Sequence, residues 1–166
     1  MKKADCLWVS GIVFLSVFAG AGCRAVSRPD VIVTLDAVDS RGASPTVEVH
    51  LIGVNNQGRY LNLRDMTAYD WNAMRAGGEA YVMKFGNDTD RTLTLDSGDP
   101  IWRAWDRPRQ LFVIASFPPG QDGQGPRRLV LPLKWNSWIG KDIPISIQQT
   151  GLVCQERYKA WNPFED

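Results

Sequence analysis

Thr46–Val54, TVEVHLIGV, alternates apolar and polar residues, with Val47, Val49 and Leu51 on one side and Glu48 and His50 on the other. Successive side chains of a strand point to opposite faces, so this pattern marks a half-buried β-strand whose Val/Leu face looks into a core. Upstream, Asp30–Leu35 (DVIVTL) repeats the pattern with Val31, Val33 and Leu35. The polar stretch between them, Ala37 to Pro45, contains Gly42 and Pro45 and reads as a loop. Downstream, Gln110–Phe117 (QLFVIASF) is nearly continuously apolar at strand length, as expected of a central strand covered on both faces.

The other elements follow from the same signals. Asn55-Asn56-Gln57-Gly58 reads as a turn. Thr67–Arg75 (TAYDWNAMR) is the best helix candidate, with Thr67 and Asp70 spaced as a capping box and Gly77 as a stop. Glu79–Phe85 and Arg91–Leu95 flank the turn Gly86–Asp90 and are expected to form a hairpin. Pro118–Pro126 reads as an exposed loop, followed by strands Arg127–Leu133, Ile143–Gln149 and Leu152–Tyr158. The expected architecture is mainly β, a single antiparallel β-sandwich of about seven to eight strands with one short helix. An eight-stranded closed barrel is the architectural alternative.

The chain opens with Lys2-Lys3, and Leu7–Gly22 then contains no charged residue before Cys23. A positive start, an apolar run and small residues are the arrangement of a secretory signal peptide, and 16 residues are short for a membrane span. Gly20-Ala21-Gly22-Cys23 resembles the lipobox of bacterial lipoproteins. The expectation is a signal peptide over 1–22, a tether over 23–29 beginning at a lipid-bearing Cys23, a sandwich over 30–158 and a loosely held tail over 159–166. An uncleaved anchor helix with an incidental cysteine is the competing reading. Arg24 follows the cysteine in place of an Asp-type retention signal, so the expected location is the outer membrane, facing the periplasm.

Removing Lys2, Lys3 and Asp5 leaves 17 basic and 17 acidic residues. A neutral, mixed surface offers no footprint for nucleic acid. Cys154 is then left without an intramolecular cysteine partner and reads as a buried apolar residue.

Material for catalysis is thin. His50 is the single histidine, placed mid-strand on the expected solvent face, and no G-x-S-x-G elbow accompanies it. One histidine and one thiol are poor material for zinc. Asp88, Asp90, Asp96 and Asp99 could offer oxygens to calcium, but turn formation explains the same residues. The chain is expected not to be an enzyme and to need no metal or cofactor. Six tryptophans follow Cys23, with Trp102/Trp105 and Trp135/Trp138 each spaced by three. Most are expected to close the ends of the core, with Trp135 and Trp138 the pair most exposed.

The lipobox, the domain length and the sandwich pattern together resemble the outer-membrane lipoprotein of the type VI secretion system, the TssJ family. Two segments carry the resemblance. Val38–Pro45 leading into TVEVHLIGV is similar to that family's polar loop with Gly and Ser-Pro entering a Val-rich strand, and Gln110–Phe117 to its apolar strand containing Ala. The resemblance implies a non-catalytic lipoprotein that holds the periplasmic part of a large inner-membrane subunit, TssM, at the outer membrane. It implies partner contacts in the loop between the first two strands, here Asp39, Ser40, Arg41, Gly42, Ala43 and Ser44. The alternatives are a lipid-anchored glycan- or peptidoglycan-binding module using the tryptophan pairs, and a lipid-anchored hydrolase using converging carboxylates or His50.

Overall fold

The computed structural model describes residues 28–37, 42–66, 80–116, 127–134, 137–138, 142–158 and 162–164. Their chain order is β1 (Val31–Leu35), β2 (Val47–Val54), α1 (Gln57–Asp65), β3 (Tyr81–Phe85), β4 (Thr92–Leu95), α2 (Ile101–Ala104), β5 (Gln110–Ser116), β6 (Arg128–Pro132), β7 (Ile143–Gln148) and β8 (Gly151–Cys154). The eight strands form two four-stranded sheets, ordered β4-β1-β7-β8 and β3-β2-β5-β6. The expected β-sandwich is present.

The alternating strands behave as their patterns require. Val31, Val33 and Leu35 of β1 and Val47, Val49 and Leu51 of β2 meet in one core with Phe85, Leu111, Val113, Ile145 and Ile147. β5 lies between β2 and β6 and is buried on both faces. Its other face, Phe112 and Ile114, joins Ile52, Val54, Tyr60, Leu63 and Phe164 in a second cluster outside the sheet. The β3-β2-β5-β6 sheet is therefore covered on both sides, which is why β5 shows no polar alternation.

Several expectations are corrected. β1 and β7 pair in parallel, whereas the five other pairings are antiparallel. β3 and β4 are not a hairpin: β3 pairs with β2 and β4 with β1, so the chain crosses from one sheet to the other between them. Sheets of a sandwich lie about 10 Å apart, and Gly86 to Arg91 spans that gap. The Thr89 hydroxyl accepts from the Gly86 amide at 2.7 Å, and Arg91 O accepts from the Leu35 amide at 2.7 Å, docking the arch on β1.

Where a turn was expected, Asn56 caps α1, its side chain accepting from the Arg59 amide at 2.9 Å. The local hydrogen bonding that favours Asn in turns also starts helices. Tyr60 and Leu63, three apart on one face, bury α1 against the sheet. With α2, the described residues hold two helices where one was expected. The helix expected over Thr67–Arg75 and the loop Pro118–Pro126 lie outside the described residues. β8 ends at Cys154, shorter than expected.

The tail, expected to be loosely held, is docked at its described residues. Phe164 is buried and its ring lies 5.4 Å from that of Tyr60. Asn162 donates to the Tyr60 hydroxyl and accepts from Gln110, while Gln57 donates to Phe164 O.

Candidate functional site

The connections of the sandwich sort to two ends. The last residues of β1, β3, β5 and β7 and the first residues of β2, β4, β6 and β8 lie at one end, fixed by the registers that align Leu35 with Ile147, Val47 with Phe85 and Glu48 with Ser116. The chain enters β1 at the other end, where Asp30 O accepts from the Ile143 amide at 2.8 Å and its carboxylate from the Ser97 amide at 2.5 Å.

Of the loop residues expected to bind a partner, Gly42, Ala43 and Ser44 are described; Asp39, Ser40 and Arg41 lie outside the described residues. Gly42 has φ +78° and open space where a Cβ would stand. Glycine takes this left-handed backbone without the cost an L side chain incurs. Ala43 and Ser44 are half-buried and Pro45 is buried, so the loop returns to β2 closely packed.

Its outgoing root is held by β7. Ile147 O accepts from both Asp36 N (3.0 Å) and Ala37 N (2.8 Å). The hydroxyl of Ser146, fully buried on β7, donates to the Asp36 carboxylate. Sequence reading missed this clamp. Its one signal was a polar residue, Ser146, inside the apolar run of β7, and its pairing with a segment 110 positions away is a product of the parallel β1–β7 contact.

The opposite end is closed by aromatic side chains. Trp102 and Trp105 are buried and meet edge to face at 5.2 Å. Trp102 Nε1 donates to Asp96 O at 2.9 Å, and the Trp105 ring sits against Gly53 of β2. Trp138, expected to be partly exposed, is buried, stacked on Tyr158 at 5.2 Å with its indole N–H donated to Pro132 O. Trp135 lies outside the described residues. Among the described tryptophans none offers an open ring face to a sugar.

The candidate catalytic groups disperse. His50, expected on the solvent face, is 0% exposed, because that face of β2 is covered where it was expected to be open. It faces Val82 and Ile114 across the sheet, with Glu48 Oε2 3.6 Å from its Nε2 and Lys84 Nζ 3.3 Å from the other Glu48 oxygen. Asp88 and Asp90 lie in the β3–β4 arch, whereas Asp96 and Asp99 lie beyond the other end of β4. The Asp99 carboxylate accepts from the Ile101 amide at 2.8 Å, just before α2, and Asp96 O is taken by Trp102. Among the described residues no three His, Cys, Asp or Glu side chains converge as a metal site. Cys154 is half-buried, and burial pushes its thiol pKa up, away from the thiolate a nucleophile needs.

No protein-family model and no curated relative matches the chain. Among solved structures it is similar to Serratia marcescens Lip, described as a membrane-bound component of the type VI secretion system, at 17% identity, with 80% of this chain and 99% of that chain covered and a TM-score of 0.49. It is also similar to the Pseudomonas aeruginosa type VI secretion lipoprotein TssJ1, at 18% identity over 78% of this chain and 98% of that one, with a TM-score of 0.40. A third, described as the TssM C-terminal domain from EAEC, matches at 14% identity over 76% of this chain and 98% of that one, with a TM-score of 0.47. The chain is similar to these secretion-system structures in the course of its backbone.

Proposed function

We propose that the protein is a non-catalytic outer-membrane lipoprotein that anchors an envelope-spanning type VI secretion complex. Lipid on Cys23 holds it to the membrane, facing the periplasm, and the loop Asp39–Ser44 binds the periplasmic part of a TssM-like inner-membrane subunit. The observation that carries this reading is the placement of two features at opposite ends of one rigid body. The segment following Cys23 enters β1 at the tryptophan-closed end. The loop leaves β1 at the other end, its root held by β7. A tether at one end turns the other away from the membrane, and loops set on a rigid scaffold are where binding residues concentrate.

The test is a pull-down from detergent-solubilised envelopes of the native host, comparing wild type with the double variant Asp39→Ala/Arg41→Ala. A large inner-membrane subunit that co-purifies with wild type and is lost from the variant supports both the anchoring role and the loop. Its absence from the wild-type sample rejects the anchoring role. Equal recovery with both rejects the loop.

A further inference from the structure

The end of the sandwich at which the chain enters β1 carries a concentration of exposed basic side chains. Arg103, Arg107, Arg109 and Lys134 are all exposed there, with Asp106 the single carboxylate in the span from Arg103 to Arg109. These residues are tied into one corner. Arg109 N donates to Val54 O at 2.7 Å, Leu133 N donates to Arg109 O at 2.8 Å, and Asp106 N donates to Arg103 O at 3.0 Å. Around it the exposed charges are mixed: Asp96 and Asp142 are acidic and Arg157 is basic, with Arg28 half-buried before β1, while the carboxylates of Asp30 and Asp99 accept from the backbone amides of Ser97 and Ile101.

The corner also stores backbone strain. Asp106 (φ 48°) and Arg107 (φ 56°) are consecutive non-glycine residues in the left-handed region. Such residues persist only where their surroundings force them. Here Asn55 Nδ2 donates to Asp106 O at 3.0 Å, and the preceding Trp105 is packed on Gly53. The forced turn keeps Arg107 exposed between Arg103 and Arg109.

Only four residues separate Cys23 from Arg28. An extended chain spans at most about 3.6 Å per residue, so a lipid on Cys23 would keep Arg28 within roughly 18 Å of the headgroups. We propose that Arg103, Arg107, Arg109 and Lys134 form a docking face for an anionic phospholipid surface, to which the lipid anchor delivers it. Guanidinium groups pair with phosphates in charge-assisted bonds, and basic side chains near an anionic leaflet are drawn to it. Contact at this corner fixes the tilt of the domain and so the direction in which the partner loop points. The orienting role rests on the lipid-anchored reading above; the affinity of the corner for anionic lipid does not.

The experiment uses residues 24–166 without lipid, which contain every described strand and helix and both apolar clusters. Cosedimentation is measured with vesicles of phosphatidylcholine alone and with phosphatidylglycerol added. Binding is expected only to the anionic vesicles, is lost at high salt, and falls about tenfold or more in Arg103→Ser/Arg107→Ser/Arg109→Ser. The Lys version of the same triple variant keeps most of the binding, and Arg91→Ser, at the opposite end, leaves it unchanged. Equal binding to both vesicles, or a Ser triple variant that binds like wild type, overturns the proposal. So does a Lys variant as weak as the Ser one, since the arginines would then act through structure. Detergent-phase partitioning of the full chain against Cys23→Ser tests the lipid separately, so that failure of the anchor reading and failure of the docking face give different results.

Discussion

At the residue scale, the clamp between Ser146 and Asp36 links packing to the candidate site. Ser146 is fully buried, and its hydroxyl holds the carboxylate from which the β1–β2 loop departs. Replacing Ser146 with Ala removes one charge-assisted bond and is expected to cost about 1–2 kcal/mol of stability, read by urea denaturation. The folded variant should also recover less of the inner-membrane subunit in the pull-down. Unchanged recovery would show that the loop does not depend on its root. Gly53 is a second sensitive point, because a Cβ there would meet the Trp105 ring at 2.6 Å. Gly53→Ala must shift an indole closed in on the core, and overpacking of this kind costs about 1–3 kcal/mol. A lowered urea midpoint with a changed near-UV tryptophan signal is the expected result. Titration supplies a third expectation. Burial raises the pKa values of Cys154, Tyr81 and Tyr158 in the folded chain. The unfolded chain therefore loses these protons first as pH rises, so stability is full below about pH 8 and falls above it, from about 8.5 for the thiol and about 10 for the phenols. Urea midpoints from neutral to alkaline pH should decline in that order, and Cys154→Ala should remove the earlier part of the decline.

At the element scale, α1 is held by its two ends more than by its sequence. Asn56 caps the start, and Arg128 of β6 donates to the carbonyls of Leu63, Arg64 and Met66 where the helix stops. Asn56→Ala should cost about 1 kcal/mol, a typical loss for a side-chain cap. Arg128→Ala should cost more, since it orphans three carbonyls and loosens the helix from β6; amide exchange across 57–65 would register both. This dependence explains why α1 was illegible: only Tyr60 and Leu63 are buried, and the Arg128 contacts come from far along the chain. β1, β2 and β5 were legible because period-two alternation and continuous burial are written locally. The partners of β3 and β4, and the parallel β1–β7 pair, were not, because choosing between sheets depends on which faces meet in three dimensions. His50 was misplaced for the same reason: alternation says which face a residue is on, not whether another element covers it. Of the candidate site, the loop's breakers were legible and its root was not.

At the scale of the whole molecule, the second apolar cluster makes one sheet a middle layer. Tyr60 of α1 and Phe164 of the tail pack together over Phe112, with rings 5.4 and 5.6 Å from that of Tyr60. Asn162 ties the same group to Gln110 at the first residue of β5. The docked residues Asn162 and Phe164 therefore stiffen the strand that spans the sandwich from the tryptophan-closed end to the loop end. The anchoring role proposed above needs the two ends coupled, and a β5 buried on both faces is suited to that. Phe164→Ala should cost about 2–3 kcal/mol for the lost apolar burial, and Asn162→Ala a smaller amount. If the tail serves the body rather than the partner, Phe164→Ala will lower the urea midpoint and speed amide exchange in α1 and β5. Recovery of the inner-membrane subunit at temperatures where the variant stays folded will then be unchanged. Loss of recovery without loss of stability would instead place the tail in the interface and overturn the proposal that the loop end alone makes the contact.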